Sequence, residues 1–213
     1  MSVTRELPKE QTAIITAFTN SSFGLTINKN VSLPTIGPDQ VLVHNVAVAL
    51  NPCDHKMPDN FPTAGAIDGC DFAGTVVAIG AAVTQPFRIG DRVCGAVHGS
   101  NPANLLSGSF AEYVCATADI LLKIPDGVSW EQGAAVGGVP LGTLGLAFWE
   151  FLGLPFDPEH PATKEESFPV LVYGGGTATG TMAIQLLKLY GHFFPPKYNS
   201  PVQPRPLCKR FLT

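Results

Sequence analysis

The stretch PVLVYGGGTATGTMAIQLLKLY, Pro169 to Tyr190, changes character twice within 22 residues. Pro169–Tyr173 is short, apolar and β-branched, which predicts a strand. Gly174-Gly175-Gly176-Thr177-Ala178-Thr179-Gly180 predicts a tight turn, and Thr181–Tyr190 carries the spacing of an amphipathic helix. Strand, glycine turn and helix together open a nucleotide-binding βαβ unit. Glycines at such a turn let the backbone approach a pyrophosphate, and the helix N-terminal N–H groups and dipole stabilise its charge. The glycines stand at 174, 176 and 180, so Thr179 takes the third glycine place of G-x-G-x-x-G. A glycine turn used only for tight packing is therefore the alternative reading.

Upstream, the texture is that of short strands between glycine and proline turns. Thr12–Thr16, Val41–Leu50, Phe72–Ile79, Gly90–Gly95 and Gly108–Cys115 read as strands or strand openings. The second half of Val41–Leu50 is continuously apolar, which predicts entry into a core. Together these segments predict a compact, barrel-like all-β unit up to about residue 125. From Trp130 to Gly153 the chain favours helix around its glycines, with Ser129 placed to cap the start. The fold class is thus α/β with an N-terminal all-β domain.

Composition excludes several classes. Only 14% of the 213 residues are charged and 45% are hydrophobic, which is no disordered polymer. The net charge of −4 disfavours nucleic acid as a partner. The five cysteines are odd in number, widely spaced and free of CxxC, so a reducing, cytoplasmic setting is expected. The uncharged run Gln132–Trp149 contains five glycines and Pro140, which argues against a membrane span.

Asn51-Pro52 breaks a strand and places Cys53, Asp54, His55 and Lys56 just past its end. A lysine there can contact a cofactor phosphate or polarise a carbonyl, or it is a solvated loop residue. His55 reads as a loop histidine as readily as a catalyst. Thr143 can donate a hydrogen bond into a cleft or serve helix packing.

The series FAGTVVAIG, GDRVCG, GSFAEYV and KIPDGVSWEQGAA, in that order before VLVYGGGTATG, resembles the medium-chain dehydrogenase/reductase superfamily. ALNPCDHKM, DGCDFAGTVVAIG, LGLPFD and VYGGGTATGTMAIQLLKLYG resemble, within it, the fungal trans-acting enoyl reductases that serve polyketide synthases, often fused to a peptide synthetase module. The resemblance implies a GroES-like β-barrel over 1–125, then an inter-domain helix and the first part of a Rossmann domain over 126–191, with the active site between the domains. It implies NADPH, reduction of an α,β-unsaturated thioester, and a partner synthase carrying the acyl chain. Carried over by motif, Cys53, Asp54, His55 and Lys56 with Gly176, Thr177, Ala178 and Thr179 line the cofactor. Thr143, Leu144, Gly145, Leu146, Ala147, Phe148, Trp149 and Glu150 border the substrate, and Lys56 and Thr143 become the catalytic candidates. A zinc-free quinone reductase is the rival within the same superfamily.

The resemblance also bears on metal. Zinc-dependent relatives place ligands near the strand break and in a GHE motif; here those places hold Asn51 and Cys70. One thiol cannot build a tetrahedral site, so no metal is expected and Cys70 reads as a small buried residue.

Residues 192–213 differ from the rest. They carry four basic residues, no acidic one and five prolines, whereas the first 191 hold 9 basic and 17 acidic residues. A central Rossmann strand tolerates no such prolines. The segment reads as foreign sequence on a truncated, inactive enzyme, or as a proline-rich interaction tail.

Overall fold

The computed structural model describes residues 6–19, 21–154, 160–163 and 165–192. The chain divides into two compact units, Met1–Ile124 with Ser129–Gly138 and Pro125–Val128 with Val139–Thr213.

In the first unit, β1 (Glu10–Thr19) and β2 (Ser22–Ser32) pair as an antiparallel hairpin. β3 (Gln40–Ala49), β4 (Asp71–Ile79), β5 (Arg92–Ala96), β6 (Tyr113–Thr117) and β7 (Leu122–Lys123) form an antiparallel sheet in the order β6-β3-β4-β5-β7. Single bridges Ala13–Ala111 and Ile15–Ile67 tie the hairpin to the chain that flanks the second sheet. Val41, Val43, Phe72, Val76, Val93 and Val114 are fully buried in the core. Each such side chain contributes roughly 1.5–3 kcal/mol relative to exposure. Asn45 fastens the approach to β6 by donating from Nδ2 to the carbonyls of Ser109 (2.8 Å) and Ala111 (2.9 Å).

Two strand expectations need correction. β2 has no counterpart in the sequence reading, because Asn28, Lys29 and Asn30 dilute its alternation. β3 buries its first half, Val41–Val43, whereas Val46 (49%) and Val48 (42%) stay partly exposed in its apolar second half.

α2 (Trp130–Val136) begins at Ser129, whose Oγ accepts the Gln132 N–H at 3.2 Å while the Gln132 Oε1 accepts the Ser129 N–H at 3.1 Å. This reciprocal cap satisfies two otherwise open donors. Gly133, Ala134 and Val136 are buried in an element that packs on β3, β4 and β5. The Arg92 guanidinium lies 4.2 Å from the Trp130 ring centre and adds a cation–π contact. By length and composition, the stretch Trp130–Phe151 is apolar enough to cross a membrane. It is not one continuous α-helix, for Gly137, with φ of 34°, ends α2.

One surface ion pair pins the end of the sheet. Lys123 Nζ lies 2.7 Å from Asp91 Oδ2 and donates to the Pro86 carbonyl at 2.7 Å. The Lys123 hydrogen bond, followed by the Arg88 amide and the two cationic charges, holds the Asp91 carboxyl below its usual range. A carboxyl depressed by folding stabilises above its unfolded pKa, and that support is lost as pH falls through the folded value. Lys123→Met is expected to cost at most about 1 kcal/mol at neutral pH, because half the lysine is in water. In urea titrations this cost should shrink to nothing below the carboxylate range and in high salt.

In the second unit, α3 (Val139–Gly145) runs into a π-helical turn, Leu146–Phe151, and α4 (Ala178–Leu189) packs on α3. Pro169–Tyr173 forms no strand among the described residues. A strand needs a ladder partner, and here Leu171 is 65% and Tyr173 fully exposed. Residues 193–213, and with them nearly all of the expected basic tail, lie outside the described residues.

Candidate active site

The strand break after β3 is also a helix start. Pro52 occupies the first turn of α1 (Pro52–Asn60), where its fixed φ suits the helix and its missing N–H costs nothing. Cys53–Lys56 therefore stand on a helix rather than in the expected loop. The Asn51 N–H donates to Asp54 Oδ2 at 2.7 Å, and Asn51 Nδ2 donates to Asp71 Oδ2 at 2.8 Å. Asp71, fully buried, accepts the Gly138 N–H on its other oxygen at 2.9 Å. One carboxylate thus joins the start of α1, the entry to β4 and the end of α2. Its surroundings are equally tight, since a Cβ on Gly137 would come 2.6 Å from the Asp71 carboxyl carbon.

From this anchor, α1 presents its residues unequally. Asp54 is buried, Cys53 is half-buried, and His55 and Lys56 are exposed. Lys56 is free to reach a ligand, since its charged end is tied by no ion pair among the described residues.

The Cys53 and Cys70 sulfurs lie 3.7 Å apart, and the Cys53 Sγ is 3.5 Å from Asp54 Oδ1. Cys70 is half-buried rather than enclosed, which corrects its reading as a buried residue. Burial, then the Asp54 charge, pushes the Cys53 thiol up. Burial pushes Cys70 up to about 12, with the neighbouring thiol and carboxylate adding to it. Asp68, buried beside Ser100, is likewise raised by burial, although the Ser100 hydroxyl donates to Oδ1 at 2.7 Å.

In the second unit the glycine turn is held by two hydroxyls, of which Thr181 Oγ1 donates to the Gly175 carbonyl at 3.0 Å. Thr177 caps α4: its Oγ1 accepts the Gly180 N–H at 3.0 Å and donates to the Gly174 carbonyl at 2.9 Å. Gly174 has φ of 81°, a conformation that favours glycine. A Cβ on Gly180 would lie 2.3 Å from the Gly174 carbonyl oxygen, so loop and helix can approach only without a side chain. A Cβ on Gly176 would meet nothing within 4 Å. Gly176, Thr177 and Ala178 are exposed and Thr179 is half-buried at this helix N-terminus, where open amides favour an anion.

Leu144, Gly145, Phe148 and Trp149 line an apolar cavity of about 250 Å³ with Leu141, Leu186 and Tyr190. Thr143, Leu146, Ala147 and Glu150 do not line it. The Thr143 Oγ1 donates to the Val139 carbonyl at 2.7 Å, so its proton is engaged within α3. Of the residues proposed from sequence, Cys53–Lys56 lie in the first unit, and Thr143–Glu150 and Gly176–Thr179 lie in the second.

The model of the alcohol dehydrogenase GroES-like domain matches residues 37–126. A trans-enoyl reductase of Aspergillus clavatus is 53% identical over 192 residues, which cover 89% of this chain and 51% of the relative. One from Aspergillus flavipes is 52% identical over 188 residues, 87% of this chain and 50% of that one. Over the residues it spans, this chain is similar to the fungal trans-enoyl reductases. It spans about half the length of the curated relatives it matches. The crystal structure of an alcohol dehydrogenase superfamily protein from Novosphingobium aromaticivorans superposes with a TM-score of 0.65 at 30% identity, covering 85% of this chain and 51% of that one. These likenesses bear out the GroES-like domain and the fold class expected from the motifs, α/β with an N-terminal all-β domain.

Sequence reasoning missed the Asn51–Asp71–Gly138 link. Asp71 was visible only as the second acid of DGCD, with nothing local to show its two partners. It also counted one thiol where the fold supplies two. Asn51, at the place where zinc-dependent relatives carry a ligand, spends its amide on Asp71, so that zinc site does not fit this chain.

Proposed function

We propose that this trans-enoyl reductase homologue reduces the α,β-unsaturated thioester of a polyketide chain held by a partner synthase, using NADPH. The observation that carries the reading is the Thr177-capped glycine turn, which a Cβ at Gly180 would fill, set in a chain so similar to named trans-enoyl reductases. Gly176, Thr177, Ala178 and Thr179 would hold the cofactor diphosphate at the α4 N-terminus, and Cys53, Asp54, His55 and Lys56 would contact the cofactor from α1. When bound, the reduced nicotinamide supplies the hydride for the β-carbon. The domain assignment follows: a catalytic barrel over 1–125, then a linking helix and the opening of the cofactor-binding domain to residue 191.

The chain's own contribution is placement and charge. Lys56, exposed on a helix anchored by Asp71, stabilises negative charge developing on the thioester oxygen. The Thr143 hydroxyl has its proton committed to the Val139 carbonyl, so toward a substrate it would act through its lone pairs. Leu144, Phe148 and Trp149 hold an apolar acyl chain, for which a cavity with almost no polar lining suits a growing polyketide better than a charged metabolite. The described cysteines are all free thiols, which accords with work in a reducing cytoplasm.

The test mixes the full chain with NADPH and a pantetheine-linked enoyl thioester and follows the nicotinamide absorbance. Lys56→Met is expected to lower turnover about 100-fold, the scale of losing one oxyanion-stabilising donor. Its exposure predicts an unchanged Tm. Absence of both NADPH binding and turnover in the unmutated chain would defeat the proposal.

A further inference from the structure

We propose that Cys53 and Cys70 form an oxidative modification site, a thiol pair that a peroxide converts into one intramolecular disulfide clamping α1 to the chain entering β4. The two sulfurs lie 3.7 Å apart, which is non-bonded contact. A disulfide of about 2.05 Å requires them to close by about 1.7 Å, a movement within reach of side-chain rotation. Both thiols are free and half-buried, so a small oxidant in water reaches them, whereas Cys94 and Cys115 are buried.

The backbone on each side is held for this pairing. Cys53 lies in the first turn of α1, whose start is fixed by the bond from the Asn51 N–H to Asp54, and Cys70 immediately precedes Asp71. The 2.8 Å bond from Asn51 Nδ2 to Asp71 Oδ2 already ties these two elements, so the disulfide adds a covalent link where a hydrogen bond has set the distance. The Cys53 thiol donates to Asp54 Oδ1 at 3.5 Å, which leaves its sulfur to face Cys70 as an acceptor. In the reaction, Cys53 gives up its proton and its sulfur attacks one oxygen of the peroxide. The O–O bond breaks, water leaves and a sulfenic acid remains. The Cys70 sulfur then attacks Cys53 Sγ, the S–O bond breaks, and the Cys70 proton leaves with the hydroxide as a second water. The two thiols lose two electrons in all, and the peroxide takes them up. Burial pushes Cys70 up to about 12, which suits it to the second step, where a sulfur already in contact needs little thiolate to react.

Hydrogen peroxide on the reduced full chain is the probe. The intact mass should fall by two hydrogens, peptide mapping should join Cys53 to Cys70, and dithiothreitol should restore both thiols. In the oxidised chain, hydrogen exchange of the α1 amides should slow at least tenfold, because the helix no longer opens away from β4. Cys53→Ser should abolish the cross-link, and Cys70→Ser should abolish it and leave Cys53 to gain oxygen, whereas Cys208→Ser should leave the cross-link in place. An unchanged mass, oxygen added to Cys53 of the unmutated chain without a cross-link, a cross-link to any other cysteine, or α1 exchange unaltered by oxidation would overturn the proposal. Each readout is taken without NADPH or substrate, so it succeeds or fails independently of the reductase reading.

Discussion

Asp71→Ala is expected to lower the unfolding free energy of the first unit by at least about 3 kcal/mol. The substitution strands two donors that its carboxylate now satisfies, the Asn51 amide and the Gly138 N–H. Each buried donor left without a partner costs about 1–3 kcal/mol, and the emptied volume adds to this. Chemical denaturation should show the loss directly, with a fall in Tm of about 10 °C. Hydrogen exchange should show α1 amides opening faster than those of β4, because the capping network at Asn51 goes with the carboxylate. Asp71→Asn should lie between, since one oxygen survives while an amide nitrogen faces the Asn51 donor. A loss under about 1 kcal/mol for the alanine variant would mean that Asp71 does not hold these elements together.

Gly180→Val should remove NADPH binding, with Kd rising at least 100-fold, or about 2.7 kcal/mol. The new Cβ would stand 2.3 Å from the Gly174 carbonyl oxygen and 3.0 Å from the Gly175 Cα. Both are backbone atoms, so relief requires the loop itself to move away from α4. That movement breaks the two bonds of the Thr177 hydroxyl and scatters the amides meant for the diphosphate. Calorimetry with NADPH measures the effect, and retained helical circular dichroism separates it from unfolding. Gly176→Ala supplies the contrasting case. Its Cβ meets nothing in the chain, so Tm should hold while a ligand seated against that backbone is displaced. Binding of the valine variant within threefold of the unmutated chain would remove the cofactor role of this turn.

The two ends of the sequence reading fared differently for identifiable reasons. β3, β4, β5 and β6 were legible because β-branched runs between glycine turns have few other ways to bury themselves. Ser129 announced the start of α2, and the fold adds Gln132, three residues on, as its reciprocal partner. Asn51-Pro52 was ambiguous, because the same dipeptide that stops a strand also starts a helix. Pro169–Tyr173 has strand composition, yet a strand is a property of a pair, and composition does not supply the partner. The apposition of Cys53 and Cys70 was invisible for a related reason. No spacing rule joins residues 17 apart unless one knows that α1 folds back over the entry to β4. The apolar cavity likewise needs α3 and α4 side by side before Leu144 and Leu186 can be seen to share it.

The π-helical turn at Leu146–Phe151 has a consequence for how this protein diversifies. An α-helix advances about 100° per residue, so gaining or losing one residue there rotates everything beyond it. A wide turn is where such a length change is absorbed, and here it coincides with Phe148 and Trp149. A residue gained or lost there would turn Phe148 and Trp149 about the helix axis and so reshape the apolar cavity more than the exchange of one side chain would.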